Sequence, residues 1–279
     1  MSMTKTKTLN CPTCGGLDFQ LIFNYTAPPV TETNFNIKDY HREVWQCRLC
    51  RHFVSLPDFD DSVLYSGDYV NATYGSLEGL RRNFERIINL PSSKSDNTGR
   101  VKRVNEVVRS YWESSRSVLG QFSVLDVGSG LCVFLYRMKE AGWICTALDP
   151  DPRAVKHAQD CAGVQAVCGD FMTLKEVGKF DLVTFNKVLE HVDNPIAMLA
   201  KAKDNLQAGG LIYVEVPDGE MAAREGSGRE EFFIEHRHVF SFTSLALLVE
   251  RAGFTTLLME RLREPSTKYT LRAFLKPML

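Results

Sequence analysis

Nowhere in the 279 residues is there an apolar run of the ~20 residues that a bilayer crossing requires, so nothing in the chain reads as a membrane span. The amino-terminal stretch MSMTKTKTLNCPTC lacks the hydrophobic core of a secretory signal. Both absences point to a cytoplasmic protein, in a compartment that keeps thiols reduced. An excess of one charge is missing as well. Lys and Arg number 33 against 34 Asp and Glu, for a net charge of -1 and a pI near 6.6. That balance supplies no broad basic field for nucleic acid or an anionic membrane. No internal repeat is visible, which argues against a repeat array. What remains is a globular composition, 44% hydrophobic, 24% charged and 10% aromatic. Its length suits one large domain with an appendage, or two modest domains.

In a reducing compartment, eight cysteines are metal ligands or core packing before they are disulfides. Four of them, Cys132, Cys145, Cys161 and Cys168, are scattered through segments that read as regular elements. The other four form CPTC and CRLC, with Cys11, Cys14, Cys47 and Cys50 as two pairs separated by 32 residues. Two C-x-x-C turns match a four-thiolate zinc site, and four tetrahedral ligands leave no open position, so the metal is expected to be structural. A redox reading needs only one pair. With four cysteines completing the site, His41 and His52 are expected to be surface residues.

Residues 1–60 read as a small β-rich, zinc-ribbon-like module. Residues 61–120 carry two helical patterns, LEGLRRNFERIINL and RVKRVNEVVRSYW, separated by the polar stretch PSSKSDNTG (91–99), which reads as a loop. From residue 121 to 279 strands and helices alternate, the pattern of a parallel sheet with crossover helices. Strands are expected at 123–127, 144–149, 164–168, 180–185, 211–216, 254–260 and 269–275, and helices at 131–141, 152–161, 194–206 and 242–252. The fold class is α/β, Rossmann-like and seven-stranded.

The first strand ends in VLDVGSGLCVFL (124–135), where ligands of open α/β sheets bind. A dinucleotide fingerprint needs a third glycine, but Val133 stands there, and Asp126 precedes Gly128 and Gly130. A carboxylate aimed into the turn suits a ligand amine better than a pyrophosphate. Asp149, 23 residues further on, ends the second strand and can accept both hydroxyls of a ribose. Asp170, in CGDF, ends the third. Three acids without a phosphate-binding lysine suggest a cationic nucleoside, and S-adenosylmethionine fits.

The motifs VLDVGSGLC, ALDPDP, GDF, FDLVTFNKVLEHVDNP and LQAGGLIYVEVPD, in that order and spacing, resemble the class I S-adenosylmethionine-dependent methyltransferases over residues 121–276. The resemblance implies that Asp126, Gly128, Gly130, Asp149 and Asp170 line the cofactor site. Phe171 would lie near the adenine, with Asn186 at the end of the fourth strand. The alternative reading of Asp170 and Asn186 is helix capping. The family often has glycine at Cys132 and proline at Ala208. A cysteine is small enough to let the methionine end of the cofactor approach.

Methyl transfer is an in-line displacement that often needs a proton removed from the acceptor. Two clusters offer bases: Glu190 and His191 in LEHV, and Glu235, His236 and His238 in FFIEHRHVFSF. The stretch PDGEMAAREGSGREE (217–231) reads as a lid loop. IEHRHVFSFTSLALLVERAGF resembles the segment after strand five of zinc-containing sugar methyltransferases. In their C-methylating members, which carry a further C-terminal domain, an adjacent Glu-His pair is implicated in proton removal. The resemblance thus implies Glu235, His236 and His191 as catalytic candidates, with Tyr65 and Tyr69 of YSGDY closing on the substrate and His238 beside it. Plainer roles are helix positioning for His191, contact with the following helix for His238, and packing for the tyrosines.

The expected function is S-adenosylmethionine-dependent methylation, at O or C, of a sugar that is nucleotide-linked or part of a glycan or natural-product precursor. One alternative is an RNA methyltransferase that grips nucleic acid through the zinc module; the balanced charge and the absence of NPPY after strand four argue against it. The other is a non-catalytic cofactor-binding protein. Oligomeric state is not legible.

Overall fold

The computed structural model describes residues 9–33, 35, 37–59, 76–115 and 121–278. Tyr65 and Tyr69 lie outside the described residues. The described residues build two sheets. The first is formed by β1 (Phe19–Tyr25), β2 (Arg42–Cys47) and β3 (Phe53–Pro57), all antiparallel. Among the described residues, α1 (Leu77–Ile88) and α2 (Asp96–Ser115) come next.

The second sheet begins at β4 (Ser123–Val127), and α3 (Val133–Glu140) leads back to β5 (Ile144–Asp149). Next come α4 (Pro152–His157), β6 (Gln165–Cys168), β7 (Phe180–Asn186), α5 (Pro195–Lys201) and β8 (Leu206–Pro217). The remaining elements are α6 (Gly219–Glu225), the short β9 (His238–Val239), α7 (Phe242–Arg251), β10 (Phe254–Arg263) and β11 (Tyr269–Pro277).

The large sheet has the order β10-β11-β8-β7-β4-β5-β6. It is parallel from β8 to β6, and β11 runs antiparallel between β8 and β10. Parallel strands covered on both faces read as unbroken apolar runs. β7 (FDLVTFN) is buried from Phe180 to Phe185 for that reason. All seven expected strands are present, with ends moved by a few residues. Two apolar clusters lie on opposite faces: one holds Leu125, Val183, Phe240 and Leu248, the other Val124, Phe134, Trp112 and Trp143. Each such side chain contributes about 1.5–3 kcal/mol on leaving water.

Capping chemistry sets several boundaries. Ser76 Oγ accepts from the Gly79 amide at the head of α1, whose Leu80 and Phe84 are buried one turn apart. Ser241 and Ser244 form a reciprocal capping box on α7. The stretch 91–99, expected as a loop, is instead a 3-10 turn over Ser92–Lys94 followed by the first turn of α2. Ser95 Oγ accepts from Thr98 N, so the polar composition that resembles a loop is N-cap chemistry. The expected lid loop 217–231 likewise contains α6, because Asp218 accepts from the amides of Glu220 and Met221.

The small sheet does not stand alone. β3 pairs with β9, which lies far along the chain, at Phe53↔Val239 and Val54↔His238. Gly219 fits against the same place: a Cβ there would meet the Phe53 ring at 2.6 Å. His52, expected at the surface, is fully buried in this junction. Its ring nitrogens lie 3.3 Å from Ser244 Oγ and 3.2 Å from His238 Nδ1. His41 is half-buried, with Nε2 3.1 Å from Asn24 Oδ1. Among the described residues no helix is long and apolar enough to cross a membrane.

Candidate active site

The carboxyl ends of β4, β5 and β7 open on a cavity of about 1030 Å³. One wall is the turn after β4. Gly128 has φ +70° and Gly130 φ +47°, the left-handed region that glycine enters without penalty. A Cβ on Gly128 would stand 2.8 Å from Val188, so the turn admits no side chain there. The amides of Gly128 and Ser129 donate to Leu148 O at 2.8 and 3.2 Å. Gly130 N donates to Asp149 Oδ2 at 2.9 Å, and Asp151 N to Asp149 Oδ1 at 2.9 Å. Burial raises the Asp149 carboxyl above the usual carboxylate range, and those two amides oppose the rise.

Cys132 caps α3 with φ +57° and is buried among apolar side chains. A left-handed residue explains why glycine would suit this position, and an unbranched side chain is the smallest departure from it.

Asp126 lies beneath the cavity floor and is not on its wall. Its Oδ1 accepts from Thr184 Oγ1 at 2.6 Å and Asn186 Nδ2 at 2.7 Å. Burial pushes it up to about 7, against those two hydrogen bonds. Asn186 does line the cavity, and its Oδ1 is buried without a hydrogen-bond partner. Asp126 therefore reaches the cavity through Asn186. Asp170 lines the cavity and also accepts from Met172 N at 2.9 Å, so the cap and the wall are one residue. Phe171 is buried on the same wall, edge-on to Phe185. A glycine turn without room for Cβ, the Asp149 carboxylate and an orphan amide oxygen fit an adenosyl ligand with its ammonium group.

The same cavity is also lined by Glu190, His191, Glu235 and His236. The two imidazoles lie with centroids 4.9 Å apart, their planes tilted by 58°. His191 Nδ1 lies 2.8 Å from Glu235 O, and His236 Nδ1 lies 2.9 Å from Glu231 O. A carbonyl oxygen has no proton, so each Nδ1 is the donor and each ring's acceptor is Nε2. Burial holds both histidines below their ordinary value, which keeps them neutral at pH 7.

Glu190 is fully buried, and neither of its carboxyl oxygens has a hydrogen-bond partner in another residue. Burial pushes it up to about 8, opposed by the Lys187 ammonium. One polar atom each from Glu190, His191 and His236 lies within 4.8 Å of the others, so the three can converge on one hydrogen-donating group or one cation. Glu190 was in view in LEHV, but no sequence signal separates it from the base beside it. His238 is turned away: it sits in β9 against His52 and is absent from the cavity wall.

Where the small sheet meets α7, with Leu247 packed against the cysteines, the sulfurs of Cys11 and Cys50 lie 3.4 Å apart, and those of Cys14 and Cys47 3.6 Å apart. All four are within 4.8 Å of one another. A zinc tetrahedron with ~2.3 Å bonds has sulfur–sulfur edges of about 3.8 Å, so the donor set fits the metal. Thr13, also buried, places its hydroxyl 3.2 Å from both Cys11 and Cys50 Sγ.

Comparison with known proteins agrees with this geometry. A methyltransferase-domain family model matches residues 77–258, and the chain belongs to that family. It carries a class I S-adenosylmethionine-dependent methyltransferase domain. Over 123 residues it is 30% identical to the ubiquinone biosynthesis O-methyltransferase of Xanthomonas campestris pv. campestris (strain B100), covering 42% of this chain and 52% of that protein. The corresponding protein of Ralstonia nicotianae is 26% identical over 155 residues, 52% of this chain and 62% of that one. The chain thus spans little more than half the length of these curated relatives. Among solved structures, the 1,6-didemethyltoxoflavin N1-methyltransferase of Burkholderia thailandensis superposes with a TM-score of 0.55 at 16% identity, covering 91% of this chain and 100% of that one. Magnesium protoporphyrin IX methyltransferase from Synechocystis PCC 6803 gives a TM-score of 0.54 at 17% identity, covering 76% and 97%.

Proposed function

We propose that this chain methylates a hydroxyl-bearing small molecule, with a sugar as the acceptor class, and that His236 and His191 receive the acceptor's proton with Glu190 beside them. The observation that carries the reading is a single cavity lined both by the glycine turn with Asp149 and by two neutral imidazoles. When bound, S-adenosylmethionine supplies an electrophilic methyl group on a sulfonium. Gly128 and Gly130 would admit its methionine end, Asp149 its ribose hydroxyls, and Asn186 Oδ1 its ammonium. The acceptor oxygen forms the new bond to carbon and releases its proton to an imidazole Nε2, while the carbon–sulfur bond breaks to leave the thioether. His236 and His191 are oriented for this by the carbonyls that hold their Nδ1 protons.

The sugar reading rests on the IEHRHVFSF segment, which carries both the Glu235–His236 pair and the carbonyl that orients His191. A second reading, methylation of a quinone precursor, is favoured by the identity to the ubiquinone biosynthesis O-methyltransferases. We also propose that Cys11, Cys14, Cys47 and Cys50 hold structural zinc in a module spanning residues 1–60, that residues 61–120 include the cover of the acceptor, and that the protein acts in the cytoplasm. Incubation with methyl-labelled cofactor and a panel of sugar nucleotides and phenolic quinone precursors, read by mass spectrometry, tests the acceptor class. A labelled sugar supports the first reading. Label only on the phenols replaces it with the second.

A further inference from the structure

Residues 227–236 have little structure of their own: one 3-10 turn, Glu230–Phe232, and then an irregular run to His236. Their shape is imposed from outside: Tyr269 N donates to Glu231 Oε1 at 2.6 Å and Arg237 N to Glu190 O at 2.8 Å on one side, and the cysteine-bearing sheet holds the other. At the start, Tyr25 Oη donates to Ser227 O at 2.8 Å. In the middle, the Phe232 ring meets Phe23 and Phe53 edge-on, at 5.0 and 5.3 Å. Near the end, Glu32 Oε1 accepts from Ile234 N at 2.7 Å, two residues before His236. Ser55 N then donates to Arg237 O at 3.0 Å.

Glu32 is itself fixed. Its Oε2 accepts from Tyr40 Oη at 2.7 Å, and Arg42 Nη2 lies 3.2 Å from its Oε1. Both side chains of that ion pair are wholly buried. Arg42 continues to Ser55 Oγ at 3.1 Å and stacks over the Tyr25 ring at 4.2 Å. A buried pair of this kind adds little net stability over an apolar replacement. Its directional bonds, however, fix a geometry. The segment it fixes matters twice. His236 belongs to it, and both histidines lean on its carbonyls, His236 on Glu231 O and His191 on Glu235 O.

We propose that Glu32 and Tyr25 are positioning residues for the histidine pair, and that the amino-terminal sheet serves as the template that sets His236 against His191 at the acceptor end. The cofactor turn does not share this dependence, since its glycines are held by Leu148 and Asp149. The proposal rests on the reading of the two histidines as acceptor-side groups. Its test reads ring position, so it stands or falls whether or not a sugar is methylated.

The full-length chain, purified with zinc present, is labelled at histidine Cε1, which yields six signals; His191→Asn and His236→Asn assign the two of interest. In Glu32→Ala both signals move together by more than a linewidth and the cross-relaxation between the two rings is lost. Glu32→Gln, which keeps an acceptor for the Ile234 amide, recovers most of the wild-type spectrum. Tyr25→Phe leaves the Glu32–Arg42 pair intact and gives a smaller shift in the same direction. Calorimetry with S-adenosylhomocysteine gives dissociation constants within twofold of wild type in all three. Unmoved histidine signals in folded Glu32→Ala overturn the proposal. So does a Glu32→Gln spectrum that matches that of Glu32→Ala, or a parallel tenfold loss of cofactor-product binding, which marks general loosening. If Glu32→Ala does not fold, Tyr25→Phe decides, and no shift there overturns the proposal.

Discussion

Gly130 and Asp149 are joined by a 2.9 Å hydrogen bond from the glycine amide to the aspartate carboxylate, which ties the turn after β4 to the tip of β5. The same carboxylate accepts from Asp151 N, so its oxygens are already aimed when a ribose arrives. Asp149→Ala removes the ribose acceptor and the brace on the turn together. S-adenosylhomocysteine binding, measured by calorimetry, is expected to weaken at least tenfold, about 1.4 kcal/mol. Unchanged affinity would falsify the placement of the ribose at Asp149.

Cys132 explains its own presence. Its φ of +57° costs an ordinary residue roughly 1–2 kcal/mol, and its buried side chain gives back about as much through packing. Cys132→Gly exchanges one gain for the other, so its stability should lie within about 1 kcal/mol of wild type by urea melts. Cys132→Val places a branched Cβ in the left-handed region and is expected to cost more than about 2 kcal/mol. A valine variant as stable as wild type would show that the strain is absent.

These two positions also show what the sequence made legible. Parallel strands buried on both faces leave unbroken apolar runs, so β4, β5, β7 and β8 could be located from Val124, Leu148, Val183 and Val214 alone. The turn was legible because left-handed backbone selects glycine at 128 and 130. Contacts made far along the chain leave no such trace. β9 is two residues long and has no period to detect, so neither its pairing with β3 nor the burial of His52 could be read. Asp126 looked like a direct ligand group because nothing local reveals that Asn186, from β7, stands in front of it. Glu190 was visible as a letter, but its unsatisfied carboxyl group is a product of tertiary burial.

The cysteine cluster makes a prediction that needs no substrate. Elemental analysis should find one zinc per chain, and Cys47→Ser or a strong chelator should remove it. A bound metal would supply much of the stability of so small a sheet. The junction at β3–β9, and with it the Ser55–Arg237 bond, should loosen first. Hydrogen exchange at Phe53, Val54 and Val239 is expected to accelerate by at least tenfold, while Leu125 and Val183 in the large sheet stay protected. Equal loss of protection in both sheets would show that the metal supports the whole fold and not this junction.

Glu190 gives the sharpest pH dependence. Its folded carboxyl is pushed up to about 8 by burial, whereas an unfolded chain releases that proton near the ordinary glutamate value of ~4.3. Between those values the native state holds a proton that the unfolded state has lost, so this residue makes stability fall as pH rises through the window. Glu190→Gln fills the same volume and cannot ionise, and Lys187 keeps Glu215 as a counter-charge at 3.8 Å. The variant should therefore match wild type only below about pH 4 and exceed it by about 1 kcal/mol or more at pH 8.5, a rise of at least ~2–4 °C in melting temperature. The same variant should slow methyl transfer to any acceptor found, because the ionisable carboxyl group beside the two imidazoles is gone. A stability difference that is identical at both pH values would mean that Glu190 has a hydrogen-bond donor or a cation beside it in solution, and that the buried, unpaired carboxyl is not its working state.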